Sequence, residues 1–337
     1  MKKNFAIIGC GHIANRHVEH IKNHLEGEIS GVFDTDEEIM RSFSKKHGVK
    51  AYGSLTDLLN DDTVDVVNVC TPNGSHADLA IQVLKSNKNV VVEKPMAITN
   101  SSALEMERVA EEADLKMFVV KQNRYNPPVS SVKDLMEAGK LGKLLMVSVN
   151  CFWNRNSNYY LQSPWRGTNH QDGGTLFTQF SHFIDIIYYL FGEVENVQGV
   201  VKNLSHQELI EFEDSGSFSF EFKDGGLGNF CFTTSSYKQN MEGSITIFAE
   251  NATIKIGGKY LNTIDYQVTN GFDIKDIPIS SPANNYGFYE GSMSNHDKVI
   301  DNVIETLNGR QEVKTSAKEG RKVVEMISQF YAGAKKI

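Results

Sequence analysis

The sequence predicts an α/β fold in its first part, a doubly wound parallel sheet, followed by an α+β domain on an open, mainly antiparallel sheet. Three observations carry this. A short apolar run, Phe5–Ile8, leads straight into the turn Gly9-Cys10-Gly11-His12-Ile13-Ala14. Through residue 121, β-branched runs alternate with helical patterns. Those runs (Val-Val-Asn-Val, Asn-Val-Val-Val) are almost wholly apolar, as a sheet covered on both faces requires. After Asn126-Pro127-Pro128 the pattern becomes period-2, broken by Asp-Gly-Gly, Glu-Asn and Gly-Gly turns, the mark of strands with one wet face.

Taken in order, the expected strands of the first part are Phe5–Ile8, Glu28–Phe33, Val64–Val69, Asn89–Val92 and Lys116–Lys121. Helices are expected at His12–Leu25, Asp36–His47, Leu55–Leu59, His76–Ser86 and Ser101–Ala113, making right-handed crossovers. In the second part a helix at Val129–Ala138 leads to a strand at Lys143–Trp153. An aromatic and Asn-rich loop follows, then one helix from Gly174 to Leu190. Six period-2 segments come next: Val194–Val201, Ser215–Phe222, Gly226–Thr234, Gly243–Ala249, Ala252–Ile256 and Tyr260–Val268. Two amphipathic helices, Ser294–Leu307 and Ser316–Ala334, close the pattern. The expected division is 1–122 for a nucleotide-binding domain and 123–337 for a substrate-binding and oligomerisation domain, with the closing helices packing back on the first.

Composition narrows the classes. A chain of 337 residues suits two domains with real cores. With 34 Lys+Arg against 42 Asp+Glu and a net charge of −8, it lacks the basic surface that nucleic acid demands. The longest apolar run, near Leu144–Trp153, is strand-length and carries Ser148 and Asn150, so a membrane span is excluded. Met1-Lys2-Lys3 and the next apolar run mimic a signal peptide, but the run is short and His12, Asn15, Arg16 and His17 follow with no cleavage site. Cys10, Cys70, Cys151 and Cys231 have no C-x-x-C spacing and read as reduced cytoplasmic thiols. No histidine pair has metal-ligand spacing with a third ligand, so no metal is expected, and His17 and His20 read as a solvated helix face.

The glycine turn carries chemistry because of where it sits. Gly9 makes the tight turn, Gly11 lets a pyrophosphate approach the backbone, and Ala14 allows close helix–strand packing. The helix opening at His12 and Ile13 offers free N–H groups to the phosphates. The second strand ends in Val32-Phe33-Asp34-Thr35, where Asp34 would accept from a ribose 2′-hydroxyl and repel a 2′-phosphate. The expected cofactor is NAD, and the expected domain a Rossmann domain. The competing readings are a bare glycine turn and an Asp34 that is only a turn residue. Lys94 leaves the carboxyl end of a parallel strand, the edge where open α/β sheets bind ligands.

With the glycine turn, Cys70-Thr71-Pro72-Asn73-Gly74-Ser75-His76 and Glu93-Lys94-Pro95 resemble the Gfo/Idh/MocA family of NAD(P)-dependent sugar and cyclitol dehydrogenases, over essentially the whole chain. Phe152-Trp153-Asn154-Arg155, Tyr159-Tyr160, Trp165-Arg166-Gly167-Thr168, Asp172-Gly173-Gly174, Gln179-x-x-His182-x-x-Asp185 and Glu242-Gly243-Ser244 follow in order. That series is similar to the UDP-N-acetylglucosaminuronate 3-dehydrogenase branch, which serves surface-polysaccharide sugar synthesis. The resemblance implies that Lys94 meets the substrate hydroxyl, that its bond to Pro95 is cis, and that His182 is the second catalytic position, with Asp185 on the same helix face to orient it. It implies that Thr71, Asn73, His76, Glu93 and Gln122 line the cofactor cleft with Lys94, and that Trp165 and Arg166 touch the cofactor. Many relatives carry an Asp four residues before this His. Here Thr178 stands there, so proton transfer falls to Lys94 and His182, with either as the base.

Oxidising a secondary alcohol needs a group to take the hydroxyl proton while hydride leaves. A nucleotide sugar also needs donors for its phosphates and carboxylate, and aromatic surface. Asn123, Arg124, Arg155, Tyr159, Tyr160, Thr178 and Gln179 are the expected substrate contacts. Arg166 serves either the cofactor or the substrate on this reading. The expected partners are thus a UDP-linked sugar and further copies of the chain, as a dimer or tetramer through the second-domain sheet. An inositol or free-sugar dehydrogenase and a non-catalytic dinucleotide sensor remain as alternatives. Lys94 and His182 favour an enzyme.

Overall fold

A computed structural model of the protein describes residues 1–285 and 289–337. The chain divides into two units, 1–121 with 296–324 and 122–295 with 325–337.

The first unit contains β1 (Lys3–Ile8), α1 (His12–Asn23), β2 (Gly27–Phe33), α2 (Glu37–His47), α3 (Leu55–Leu59), β3 (Val66–Val69), α4 (His76–Lys85), β4 (Asn89–Val92), α5 (Asn100–Glu112) and β5 (Met117–Val119). The strands pair in parallel in the order β2-β1-β3-β4-β5. Phe5, Ala6 and Ile7 of β1 and every residue of β3 are fully buried, as continuous apolar strands require. The strand order reverses between β1 and β3, so the turns after these two strands flank the switch point where such sheets bind ligands. Caps set the helix starts: Asp36 accepts from the amides of Glu38 and Ile39, Ser54 from Asp57, and Thr99 from Ser102.

The second unit runs through α6 (Pro127–Glu137), β6 (Leu144–Phe152), α7 (Ser157–Leu161), α8 (Thr175–Thr178), α9 (Ser181–Phe191), β7 (Val194–Lys202), β8 (Ser215–Phe222), β9 (Leu227–Thr233), β10 (Glu242–Ala249), β11 (Ala252–Gly257), β12 (Thr263–Thr269), β13 (Ala283–Asn285) and β14 (Glu290–Met293). Then come α10 (His296–Leu307), α11 (Ala317–Ala332) and β15 (Ala334–Lys336). Residues 296–324 belong to the first unit, where α10 packs on α1 and His24 Nε2 stands 3.5 Å from Asp301.

The large sheet is ordered β12-β11-β10-β6-β9-β8-β7-β15 and is antiparallel except for β6 with β9 and β7 with β15. Val147, Val149, Phe230, Phe232, Ile245 and Ile247 are buried from it, together with Phe183, Ile184 and Ile187 of α9. Across its other face, strand register sets Val268, Thr253, Phe248, Met146 and Leu227 in one row, and Val268, Phe248, Met146 and Leu227 are exposed.

The structure corrects several expected elements. The helix expected over 174–190 is two: Gln179 and Phe180 interrupt it, because Gln179 reaches Arg155 and Tyr159 and Phe180 packs 5.6 Å from Trp153 and 5.2 Å from Phe232. β12 starts at Thr263 rather than Tyr260, because Gly258 and Leu261 adopt positive φ (75° and 58°) in a turn. The last helix stops at Ala332 because Gly333 passes against Val197, its carbonyl accepting from the Gly199 amide, and β15 follows. Helix α7 and the ribbon β13–β14 have no counterpart in the periodicity.

Candidate active site

The cofactor half lies in the first unit. A Cβ on Gly9 (φ 92°) would meet the Cys70 carbonyl oxygen at 2.6 Å, whereas one on Gly11 would meet nothing within 4 Å. The first glycine is therefore demanded by the chain's own backbone, and the second leaves an open approach. Gly11 is the N-cap of α1, with no side-chain cap and no acidic residue in the first turn, so the opening amides at the exposed His12 and partly exposed Ile13 suit an anion. Asp34 Oδ2 accepts from the Cys10 amide at 2.7 Å and Oδ1 from the Asp36 amide at 2.9 Å. Asp34 thus ties the glycine turn to the end of β2, with a spare lone pair on each oxygen; Thr35 beside it is exposed. The residues present fit a dinucleotide at this edge.

Three residues expected to line the cofactor cleft, His76, Glu93 and Asn73, are buried. His76 is 1% exposed, and its ring nitrogens lie 2.7 Å from the Pro95 carbonyl and 2.8 Å from that of Thr71. It staples the turns after β3 and β4 together. Glu93 is also buried: Oε1 is 2.9 Å from His17 Nε2, and Oε2 accepts from the Lys94 amide at 3.1 Å. Burial works to raise the Glu93 pKa, but the hydrogen bond from His17 and the nearby His296 ring outweigh it and hold the carboxyl well below its usual range. Asn73 is buried in the 3₁₀ turn before α4, while Thr71 is half-buried. The Lys94–Pro95 peptide bond is cis and Lys94 is half-exposed.

His17 is no solvated surface residue. It is 1% exposed, accepts from Asn68 Nδ2 at Nδ1 (2.8 Å) and donates from Nε2 to Glu93. His296 Nε2 stands 3.4 Å from the same Glu93 oxygen, and His20 stacks on His296. His17, Glu93 and His296 offer ligand atoms within 4.8 Å of one another, a metal-type set that linear spacing concealed because His296 arrives from α10.

The substrate half lies in the second unit. Tyr159, Tyr160, Ile210 and Phe212 form a buried cluster against which Leu209 and Tyr289 pack. Arg155 is 2% exposed, pinned by its amide to the Thr234 carbonyl. Its guanidinium donates to Gln179 Oε1 (2.6 Å), the Asn154 carbonyl (2.7 Å) and Asn240 Oδ1 (3.3 Å), and lies over the rings of Trp153, Tyr159 and Tyr289. Gln179 also donates to the Tyr159 hydroxyl (2.6 Å) and so fixes both groups. The Arg166 guanidinium lies 4.1 Å from the Tyr159 ring centre and 5.0 Å from that of the half-buried Trp165. Among the described residues neither Arg155 nor Arg166 is salt-bridged to a carboxylate. Arg166 Nε, both amide atoms of buried Asn123 and the hydroxyl of Tyr160, which lies deep against Tyr159 and His206, have no hydrogen-bond partner among the described residues.

His182, at the start of α9, is buried with Nε2 3.3 Å from Ser292 Oγ, which also accepts from Gln122 Nε2 at 2.8 Å. Gln122, expected at the cofactor, therefore supports the histidine's partner; Thr178 is buried one turn earlier. Arg124, expected on the substrate, donates from Nε and Nη2 to both oxygens of Asp185 (2.9 and 2.7 Å), and the pair is enclosed. The carboxylate expected to orient His182 thus grips Arg124. Ser292, Asn240, Tyr289 and His206 escaped the sequence reading, and no spacing rule singles them out. His206 Nε2 lies 2.7 Å from the Arg155 carbonyl, with Nδ1 2.9 Å from Asp214.

A dinucleotide-ready glycine turn with an acidic residue at the end of β2 defines the first unit as an NAD-binding domain. Residues 3–121 match the oxidoreductase family with an NAD-binding Rossmann fold, and residues 129–255 match the GFO/IDH/MocA C-terminal domain. The chain belongs to the Gfo/Idh/MocA family and is an NAD-dependent sugar oxidoreductase. It is similar to the WlbA dehydrogenase of Chromobacterium violaceum, solved with NADH and UDP-GlcNAcA (35% identity, 98% of this chain and 93% of that one, TM-score 0.90). The WlbA dehydrogenase of Bordetella pertussis, in complex with the same two molecules, is 33% identical (99% and 96% covered, TM-score 0.88). Glucose-6-phosphate 3-dehydrogenase of Bacillus subtilis is 25% identical over 98% of this chain and 95% of its own length. Among the described residues, no helix is long and apolar enough to cross a membrane.

Proposed function

We propose that the protein oxidises the 3-hydroxyl of a UDP-linked N-acetylated hexuronic acid, as in UDP-GlcNAcA, to the 3-keto sugar. The observation that carries this is the pair Arg155 and Arg166, set among Trp153, Tyr159, Trp165 and Tyr289 with no salt-bridged carboxylate among the described residues. Burial draws the Arg155 pKa down, so an anion arriving there would relieve a charge held out of water. A uronate and a diphosphate are such anions, and the rings offer stacking surface to a uracil. The two WlbA neighbours, about a third identical over nearly the whole chain, support the same substrate.

NAD⁺ supplies the hydride acceptor. The alcohol proton passes to Lys94 or His182, and binding energy from the remote nucleotide holds the 3-hydroxyl in place. Ser292 keeps His182 in one orientation, and Gln179 keeps Arg155 and Tyr159 in theirs. The exposed row Val268, Phe248, Met146 and Leu227 is an apolar strip that a second copy would cover, so the protein is read as a homo-oligomer through this sheet.

The test is NADH formation with UDP-GlcNAcA, free GlcNAcA, glucose 6-phosphate and myo-inositol. The UDP ester should dominate in kcat/KM. Comparable rates with inositol or a free sugar overturn the nucleotide-sugar reading. Lys94→Met should lose about two to four orders of magnitude in turnover with cofactor binding intact, and His182→Asn somewhat less. The pH profiles of the two variants identify the base.

A further inference from the structure

We propose that His17, Glu93 and His296 act as a buried positioning set that fixes the backbone of Lys94, and that Glu93 serves neither the cofactor nor a metal. The proposal rests on the reading of Lys94 as a proton-transfer group. Glu93 is 5% exposed and His17 and His296 are each 1% exposed, so none of the three presents its side chain to a ligand in solution. One Glu93 oxygen faces the two imidazoles, and the other accepts the Lys94 amide at 3.1 Å. The Glu93 amide is itself tied to the Val69 carbonyl at 3.1 Å. On the other side of Lys94, His76 reaches the Pro95 carbonyl at 2.7 Å. The residue carrying the amine is thus held from both flanks.

A carboxylate out of water is costly unless its lone pairs are used, and here Oε1 accepts from His17 and Oε2 from the Lys94 amide, while His296 Nε2 stands 3.4 Å from Oε1 without a hydrogen bond. Asn68 settles the tautomer: its Nδ2 donates to His17 Nδ1, leaving Nε2–H to donate to Glu93. Burial lowers the His17 pKa, so the ring is the neutral donor this needs, and the Glu93 charge points at Lys94 through one bond. Ligands of a tetrahedral zinc stand roughly 3.3 Å apart for metal–ligand distances near 2.0–2.1 Å. The 2.9 Å from His17 Nε2 to Glu93 Oε1 is instead a direct hydrogen bond. His296 approaches more loosely and is the weaker member.

Glu93→Gln puts an NH₂ where only acceptors suit, against either His17 or the Lys94 amide. Hydrogen exchange of a peptide spanning Val92–Ala97 should then quicken by about ten-fold or more, with the other strands of the first unit unchanged. With UDP-GlcNAcA, kcat should fall about 10- to 100-fold, while KM and the NADH Kd stay within about two-fold. In a Lys94→Met background Glu93→Gln should cost almost nothing more, because it acts through Lys94. Should Glu93→Gln fail to fold, His17→Leu removes the ring that donates to Glu93 and should give about a 3- to 10-fold loss of kcat with the same split. Unchanged exchange, full additivity with Lys94→Met, a raised NADH Kd with kcat intact, or bound zinc that is lost in Glu93→Gln each overturns the proposal. Full activity of Lys94→Met alone sinks the reading of Lys94 instead, and the exchange measurement still decides whether Glu93 holds its backbone.

Discussion

Replacing Asp185 with Asn separates a structural from a catalytic carboxylate. Asp185 and Arg124 are 2% and 4% exposed at their side chains, and the two contacts, 2.9 and 2.7 Å, make a two-point grip inside the second unit. A surface ion pair would contribute at most about 1 kcal/mol. This pair is enclosed, so removing one charge strands the other, and such breaks cost about 3–5 kcal/mol. For a unit of this size that corresponds to a fall in Tm of roughly 6–20 °C. Differential scanning calorimetry with NADH present throughout measures it. Arg124→Met combined with Asp185→Leu should recover most of the loss, because replacing both charges with apolar groups leaves nothing stranded. An Asp185→Asn protein with unchanged Tm and a kcat reduced a hundred-fold would refute this reasoning and return Asp185 to His182.

Asp34→Ser should narrow a preference of about ten-fold or more for NADH over NADPH, measured by fluorescence titration, since the like charge facing a 2′-phosphate is removed. It should also weaken NADH binding itself, because the Cys10 amide loses its acceptor. Asp214 gives a pH prediction. Burial opposes its charge, but hydrogen bonds from His206, the Ser205 and Leu204 amides and Ser215 hold its pKa at about 2 against an ordinary 3.8. Its contribution to stability is therefore complete above about pH 4 and lost as pH falls toward 2, so Asp214→Asn should flatten the acid limb of a Tm–pH curve. Phe248→Asp, in the exposed row of the large sheet, should reduce the mass seen by light scattering at micromolar concentration. A wild-type monomer would remove that reading.

Much of this was legible in the chain. The runs around Val66–Val69 and Asn89–Val92, each apolar but for one Asn, pointed to a covered parallel sheet because they show no wet face and alternate with helical patterns. The glycine turn declared its ligand because Gly9 and Gly11 stood between a strand and a helix. What escaped was set by long-range partners. His17 looked solvated because one helix face is all a sequence displays, while its partners Asn68, Glu93 and His296 arrive from three other elements. Periodicity gave one helix over Gly174–Leu190, yet Gln179 and Phe180 break it to satisfy Arg155 and the aromatic core. The parallel pairing of β6 with β9 could not be read from alternation, which is the same for either direction. Arg124, typed as an anion receptor from its chemistry, met its carboxylate inside the protein.

The first unit is discontinuous, and this bears on how the protein is made. A ribosome finishes β5 and then synthesises residues 122–295 before α10 exists. At about 5–20 residues per second that interval is roughly 10–35 s. Throughout it the nascent sheet lacks the helix that packs on α1, and His17 and Glu93 wait without His296. The glycine turn, built from β1, α1 and the end of β3, can therefore be complete long before His296 reaches the carboxylate beside the lysine turn.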